Sequence, residues 1–488
     1  MNASRTTRTP SMPTRTYFLL WMIAFVPRLV LSVVFFQQSI ALDDMYQYDM
    51  LARSMLNGNG YRWYSAQDIE PLKPYYKQFL DLDKITFPEE GVKTAHRGPG
   101  YPAFLTGIYT LVPEQTRFGW TRIIQAVLTA GLAPLTALIA LYSGFKKDTA
   151  ILSGTAIGLY PILQFYPLAL ASENLFILTL SVGFVFLFIY KEKERWPALI
   201  FSSLFLAASI LTRSVVLPFI FFSAAWLVFG PRKKYIQSAA FLSIILILCL
   251  PWAVRNSRLM DQPTFLETSL GYNLFISYHP EGDGGFISDI AIRPLRFIDD
   301  QSREEYTKEK ALQFMRRDPG DAVVRVFRKG AYFFGLEDRE MIYFYGNGFF
   351  GPIPQPWRWM VYLWLVLPWV ITLIFSPLGF LMHRDRNAII LTLGLILTYT
   401  IPHLLIIAEP RFHLALLPFL LPYAARGWRN RNAIRPFFSS PTFTKRQRTL
   451  LILIWATLLL LVVWNLSLHW DTLMQIMGPN GHDLHLTY

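Results

Sequence analysis

One cysteine, Cys249, stands among 488 residues. That excludes any disulfide within the chain, and with it a small disulfide-held scaffold. Acids are scarce too: 33 Asp and Glu face 46 Lys and Arg, for a formal charge of +13. Only 16% of the chain is charged, while 53% is hydrophobic and the mean hydropathy is +0.32. An ordinary soluble domain of this length is excluded by that balance. The sequence has no GxxxxGK[ST] phosphate loop and no GxGxxG following a strand, so nucleotide-binding enzymes of those types are excluded as well. Internal repeats are absent, which weighs against a transporter built from inverted halves. The excess positive charge leaves two readings, nucleic-acid binding or basic loops on one membrane face, and its placement decides between them.

What is abundant is apolar sequence. Runs long enough to cross a bilayer, or nearly so, lie near 17–39, 119–143, 149–166, 174–190, 196–212, 214–230, 235–253, 357–381, 387–404, 411–426 and 448–466. The expectation is an all-α polytopic membrane protein with about eleven spans, in a range of eleven to thirteen. The first run is too long for a cleaved signal peptide, lacks a small-residue cleavage site and holds Arg28 midway, so it reads as a signal anchor. Arg5, Arg8 and Arg15 precede it without an acid, which places the N-terminus in the cytoplasm. The basic turns at 146–147, 191–195, 232–234, 383–386 and 426–448 then fall on that same face. The C-terminus is expected outside, and much of the positive charge is explained without nucleic acid. Residues 101–112 form a run of only a dozen. As a helix it would cover ~18 Å against a hydrocarbon core of ~30 Å, so it reads as a juxtamembrane or re-entrant helix on the outer face.

Two large outer loops remain, 40–118 and 254–356. The second holds the turn PEGDGGF at 280–286 and two basic amphipathic stretches near 303–317 and 319–334 that suit the membrane surface. The chain divides into a seven-span part through 253, the loop 254–356, and a four-span remainder, 357–488.

This topology gathers polar residues on the outer face. Asp43 and Asp44 open the first loop in ALDDMYQYD; His96 and Arg97 follow in TAHRGPGYP; Glu173, Arg213, Arg255, Asn256, Glu409 and Arg411 lie at later outer boundaries. An acid there can take a proton from an attacking hydroxyl. Arginines can bind a phosphate and stabilise its charge as it leaves. With no nucleotide-sugar pool outside, the activated group would arrive on a lipid phosphate. Plainer readings stand beside this one. Asp43 and Asp44 suit N-caps for a helix over 45–56, Glu173 suits the start of its span, and each arginine suits a headgroup. Gly98, Pro99, Gly100 and Pro102 read as backbone-shaping. His482 and His485, spaced i,i+3 near the end, are weak metal evidence.

The ordered segments resemble the GT-C glycosyltransferases of the glycosyltransferase family 39 type, a group with protein O-mannosyltransferases and the lipid A aminoarabinose transferase. They are DMYQYDMLARSMLNGNGY (44–61), AHRGPGYPAFL (95–105), 122–125, YP at 160–161 with SENLF (172–176), PWAVRN (251–256) with GYNLF (271–275), and EPRFHLALLPFL (409–420). They run in order from about 17 to 425. The resemblance implies a GT-C fold: a transmembrane module (1–253) with a catalytic first outer loop (40–118), and a variable remainder. It implies transfer of a sugar, with inversion, from a polyprenyl-phosphate donor to an acceptor hydroxyl on a glycan, lipid or protein. The D-x3-Y-x3-A spacing selects Asp44 as general base, with Asp43 a helper and Glu173 the second acidic position. Arg97, Arg255 and Arg411, with His96 and Arg213, would bind the donor phosphate, and Tyr48, Tyr101, Asn256 and Glu409 would line the pocket. No cofactor is expected, and an essential divalent metal is not favoured. The expected setting is a bacterial inner membrane with the site facing the periplasm. The chain departs from many relatives in having Asp-Asp where they have Asp-Glu. The rivals are a polysaccharide polymerase or ligase, which needs no acidic pair opening the first outer loop, and a lipid-linked sugar flippase, which should carry ionisable residues deep in several spans.

Overall fold

A computed structural model describes residues 11–78, 81–229, 234–337, 341, 345, 351–433 and 443–482. Arg5, Arg8, Arg232, Lys233, Arg435 and His485 lie outside these residues. Helices dominate, as expected where no water is present to bond a free N–H or C=O. Among the described residues the only sheet is a two-stranded antiparallel ribbon, Arg62–Trp63 against Val92–Lys93, which folds the stretch between the first two apolar runs back on itself.

Among the described residues seven helices are long and apolar enough to cross a membrane: Thr14–Val34, Glu114–Tyr142, Glu173–Lys193, Tyr235–Leu259, Gln355–Met382, Arg386–Leu405 and Lys445–Ile476. Each coincides with an apolar run in the sequence. The run near 149–166 is broken. Lys147–Gly158 and Pro161–Leu168 meet at a 57° bend. The cause is Pro161, which has no N–H to continue the ladder and drives Tyr160 into extended backbone (φ −64°, ψ 119°). The carbonyl freed at the break is bonded from elsewhere: Arg28 Nη1 donates to Gly158 O at 3.0 Å and the Gln164 amide donates to the same oxygen. Arg28, which interrupts the first span, is thereby spent inside the protein, 1% exposed. The runs near 196–212, 214–230 and 411–426 are shorter helices, Trp196–Thr212, Leu217–Val228 and Leu417–Arg429. The last is shortened because Pro410–Leu416 forms a 3-10 turn before it.

Residues 101–112 contribute a ten-residue helix, Gly100–Tyr109, packed on Asp44–Leu56. Its entry is tight. A Cβ at Gly98 would lie 2.6 Å from Leu211 O, and one at Gly100 2.9 Å from Thr212 N. Only glycine allows this approach, and it brings Arg97 beside the end of Trp196–Thr212, where Arg213 follows. The amphipathic stretches of the second loop are the helices Asp300–Arg317 and Pro319–Phe333.

Candidate functional site

The three acids that open the first loop have three different fates. Asp43 is the N-cap of Asp44–Leu56, accepting from Met45 N–H at 2.8 Å. Asp49 is fully buried and structural: Arg53 Nε (2.8 Å), Arg117 Nε (3.0 Å) and Tyr109 OH (3.0 Å) all donate to it. Asp44, the first residue of the helix, sends its carboxylate elsewhere and keeps 38% of its side chain exposed. Oδ1 pairs with Arg97 Nη2, and Oδ2 lies 3.5 Å from Arg411 Nη2. Capping therefore falls to Asp43, and Asp44 faces guanidinium groups.

Glu173 opens its span and points to the same place. Its Oε1 is 2.7 Å from Arg213 Nη1 and 4.0 Å from Arg411 Nε. Glu409 Oε2 is 2.6 Å from Arg411 Nε. Three arginines and three carboxylates from five distant stretches thus share one cluster on this fold, with Arg411 touching all three acids. Tyr48 ties it together. Its hydroxyl donates to Ser172 Oγ at 3.1 Å, Arg213 Nη1 donates to the same oxygen at 3.3 Å, and the Arg97 guanidinium sits 5.6 Å above the Tyr48 ring. Burial pushes the Asp44 carboxyl up, but Arg97, Arg411 and Arg213 more than offset this and hold it at about 2. It is a carboxylate at any ordinary pH.

Other expected residues lie outside the cluster. Arg255 donates to Thr94 O and, at 3.2 Å, to Tyr61 O, with Asn256 Oδ1 at 2.9 Å. Asn256 in turn donates to Leu266 O at 2.7 Å. Arg255 braces the segment leading to Arg97, and Asn256 ties Arg255 to Leu266. His96 is buried between Trp63 and Tyr272, with ring centroids 5.2 Å and 5.1 Å away. Burial, then the charges of Arg303 and Arg97, hold its imidazole well below the usual value, so it is neutral near pH 7. Tyr101 is buried under Tyr48, edge to face at 4.9 Å, and donates to Gln125 Oε1 at 2.6 Å.

Sequence reasoning gave no role to several contributors, Arg122 and Gln125 among them although 122–125 belongs to the family-like segments. Gln47 Oε1 accepts from Arg97 Nε (3.1 Å) and Nη2 (2.7 Å). Its position three residues after Asp44 was the available signal, because i,i+3 neighbours share a helix face. Arg122 donates to Phe35 O (2.8 Å), Gln38 O (2.7 Å) and Leu168 O (2.9 Å). Gln125 donates to Pro167 O and Ala169 O. Together these two fix the chain entering Asp43–Asp44 to the turn before Glu173. Among the described residues no group of three or more His, Cys, Asp or Glu is placed to hold a metal ion.

No family model matches the sequence, and no curated protein matches it. Solved structures of the oligosaccharyltransferase of Archaeoglobus fulgidus align with the chain. The apo form does so at 11% identity and a TM-score of 0.46, covering 97% of this chain and 60% of that one. The complex with an inhibitory peptide and a dolichol-phosphate gives 11% and 0.42 over the same shares. The chain therefore spans about 60% of the length of those enzymes. With agreement at this level, a functional reading rests on the geometry of the cluster itself.

Proposed function

We propose that this chain is an integral membrane glycosyltransferase of the GT-C type. It moves a sugar from a polyprenyl-phosphate donor to an acceptor hydroxyl on the outer, periplasmic face of a bacterial inner membrane. The observation that carries the reading is Asp44, a partly exposed carboxylate relieved of helix capping and set between Arg97 and Arg411 beside a third arginine, Arg213. Glu173 opens an apolar span, Arg213 follows another apolar helix and Arg411 lies in the turn before Leu417–Arg429, which suits a substrate that is a phosphate on a lipid.

The reaction is one displacement. The acceptor oxygen attacks the anomeric carbon, the bond from that carbon to the phosphate oxygen breaks, and its electron pair leaves with the polyprenyl phosphate. The acceptor proton passes to Asp44. Configuration inverts because there is a single attack. Arg97, Arg411 and Arg213 stabilise the charge that grows on the departing phosphate. A carboxylate held at about 2 is a weak base, and the donor remedies this. A bound phosphate draws the guanidinium groups to itself and lowers the positive field at Asp44, so its proton affinity rises as the substrate seats. Glu173 keeps Arg213 and Arg411 aimed at the same point. The arginines supply the positive charge, so the proposed reaction has no step that calls for a divalent metal.

The test is purified protein in detergent with a polyprenyl-phosphate sugar, an acceptor and no nucleotide. Wild type should form glycosylated acceptor and free polyprenyl phosphate. Movement of intact lipid across a reconstituted bilayer without either product would identify a flippase and overturn the reading.

A further inference from the structure

The segment that carries Arg97 is held from the second outer loop as well as from the first. Asp300, the first residue of the helix Asp300–Arg317, is 4% exposed and sits more than 200 positions from the segment it grips. Its Oδ2 accepts from Thr94 Oγ1 (2.8 Å), from Ala95 N–H, and from Thr268 Oγ1 (3.4 Å). Its Oδ1 pairs with Arg303, itself buried, which also donates to Phe297 O and lies 5.4 Å from the Trp63 ring. Thr94 Oγ1 passes the restraint on by accepting from His96 N–H at 3.0 Å. Thr268 N–H donates to Ala95 O at 2.9 Å. From the other side Tyr61 OH donates to Arg97 O at 2.9 Å.

Capping does not explain Asp300. Asp299 is the N-cap of that helix, accepting from Ser302 N–H at 2.7 Å. The helix start thus repeats the division of labour at Asp43–Asp44: the first acid caps and the second reaches away. Asp300 instead takes the Ala95 N–H, which no regular ladder satisfies, together with the Thr94 and Thr268 hydroxyls. A buried carboxylate with this many partners fixes geometry, and it does so two residues from the guanidinium that meets Asp44.

We infer that Asp300 is a positioning residue: through Thr94 and Ala95 it sets where Arg97 meets the donor phosphate, making the second outer loop part of the phosphate site. This rests on the reading of Arg97 as a phosphate ligand. A shift of about 1 Å in a positioning element has large effects on binding and rate.

The experiment measures binding of a polyprenyl phosphate to the full-length protein in detergent, by titration of tryptophan fluorescence, in a double-mutant cycle. Asp300→Ala should weaken binding by about tenfold with Arg97 present and change it by less than about twofold in the Arg97→Ala background, because its effect passes through Arg97. A purely structural residue would lower thermal stability and affinity alike in both backgrounds. Asp300→Asn, which keeps an acceptor oxygen for Thr94 and Ala95, should lose less, and it carries the same cycle if the alanine variant fails to fold. Unchanged affinity in folded Asp300→Ala, or equal losses with and without Arg97, overturns the inference while leaving the phosphate reading intact. Equal binding by wild type and Arg97→Ala overturns both, and that pair is measured first.

Discussion

Arg411 reaches Asp44 across 367 positions of sequence, with Nη2 3.5 Å from Oδ2. The same guanidinium lies 2.6 Å from Glu409 and 4.0 Å from Glu173, so one cation serves three carboxylates. A phosphate entering the cluster meets an arginine already oriented by acids on several sides. Replacing it removes orientation as well as charge. Arg411→Ala should lower kcat/KM for a polyprenyl-phosphate sugar by roughly 10²–10³-fold, and Arg411→Lys should recover little, because a point ammonium cannot match the planar fork. Steady-state kinetics with varied donor decides this. Activity within a few-fold of wild type in either variant would remove Arg411 from the phosphate site.

Asp43 and Asp44 are adjacent and chemically identical, yet their substitutions should separate cleanly. Asp43→Asn keeps a capping oxygen and should leave both stability and turnover near wild type. Asp43→Ala loses the cap and should cost about 0.5–2 kcal/mol of stability with turnover preserved in the folded fraction. Asp44→Asn should lower kcat by roughly 10²–10⁴-fold, the usual range for a general base, with donor binding retained. Thermal melts and single-turnover transfer on the same samples resolve the two. Equal activity in wild type and Asp44→Asn would deny Asp44 the role.

The sequence made some of this legible and hid the rest for physical reasons. Hydrophobic runs marked where helices would lie because the bilayer imposes them. The break at Pro161 was not foreseen, because 149–166 is as apolar as an unbroken span and its hydropathy hides the missing N–H. The choice between Asp43 and Asp44 as cap was not legible, since either can accept from the next turn and only the entry angle of the chain decides. Arg255 resembled a phosphate ligand because nothing in PWAVRN reveals that Thr94 O and Tyr61 O need a donor. Asp300 was hidden among the charges of DDQSREEYTKEK, where an acid gripping a distant backbone looks like any solvated one. Residues that act by filling the hydrogen bonds of irregular backbone leave no periodic signature.

Treatment with a divalent-metal chelator should leave transfer unchanged. The positive charge needed on the leaving phosphate is available from Arg97, Arg213 and Arg411. The check is the transfer rate after exhaustive EDTA dialysis, with and without added Mg²⁺ or Mn²⁺. Loss on dialysis and recovery with metal would sink the metal-free mechanism.

The pH dependence should separate the free enzyme from the donor complex. In the free protein Arg97, Arg411 and Arg213 outweigh burial and hold Asp44 at about 2, below the 3.8 of an unperturbed aspartate. A depressed folded-state value means that the associated stability is present above about pH 4 and is lost as pH falls towards 2. The kinetic consequence runs in parallel. The profile of kcat/KM reports the free enzyme, so it should show no acid limb from Asp44 above about pH 4. The profile of kcat reports the complex. There the donor phosphate shares the guanidinium charge, Asp44 binds its proton more readily, and the acid limb moves to higher pH. The expected signature is a kcat limb displaced upward from that of kcat/KM and absent from the residual activity of Asp44→Asn. Coincident limbs in the two profiles would mean that the donor leaves the field at Asp44 unchanged. The base would then have to act against the same arginines that hold it ionised, and the coupling between phosphate binding and proton transfer would be lost.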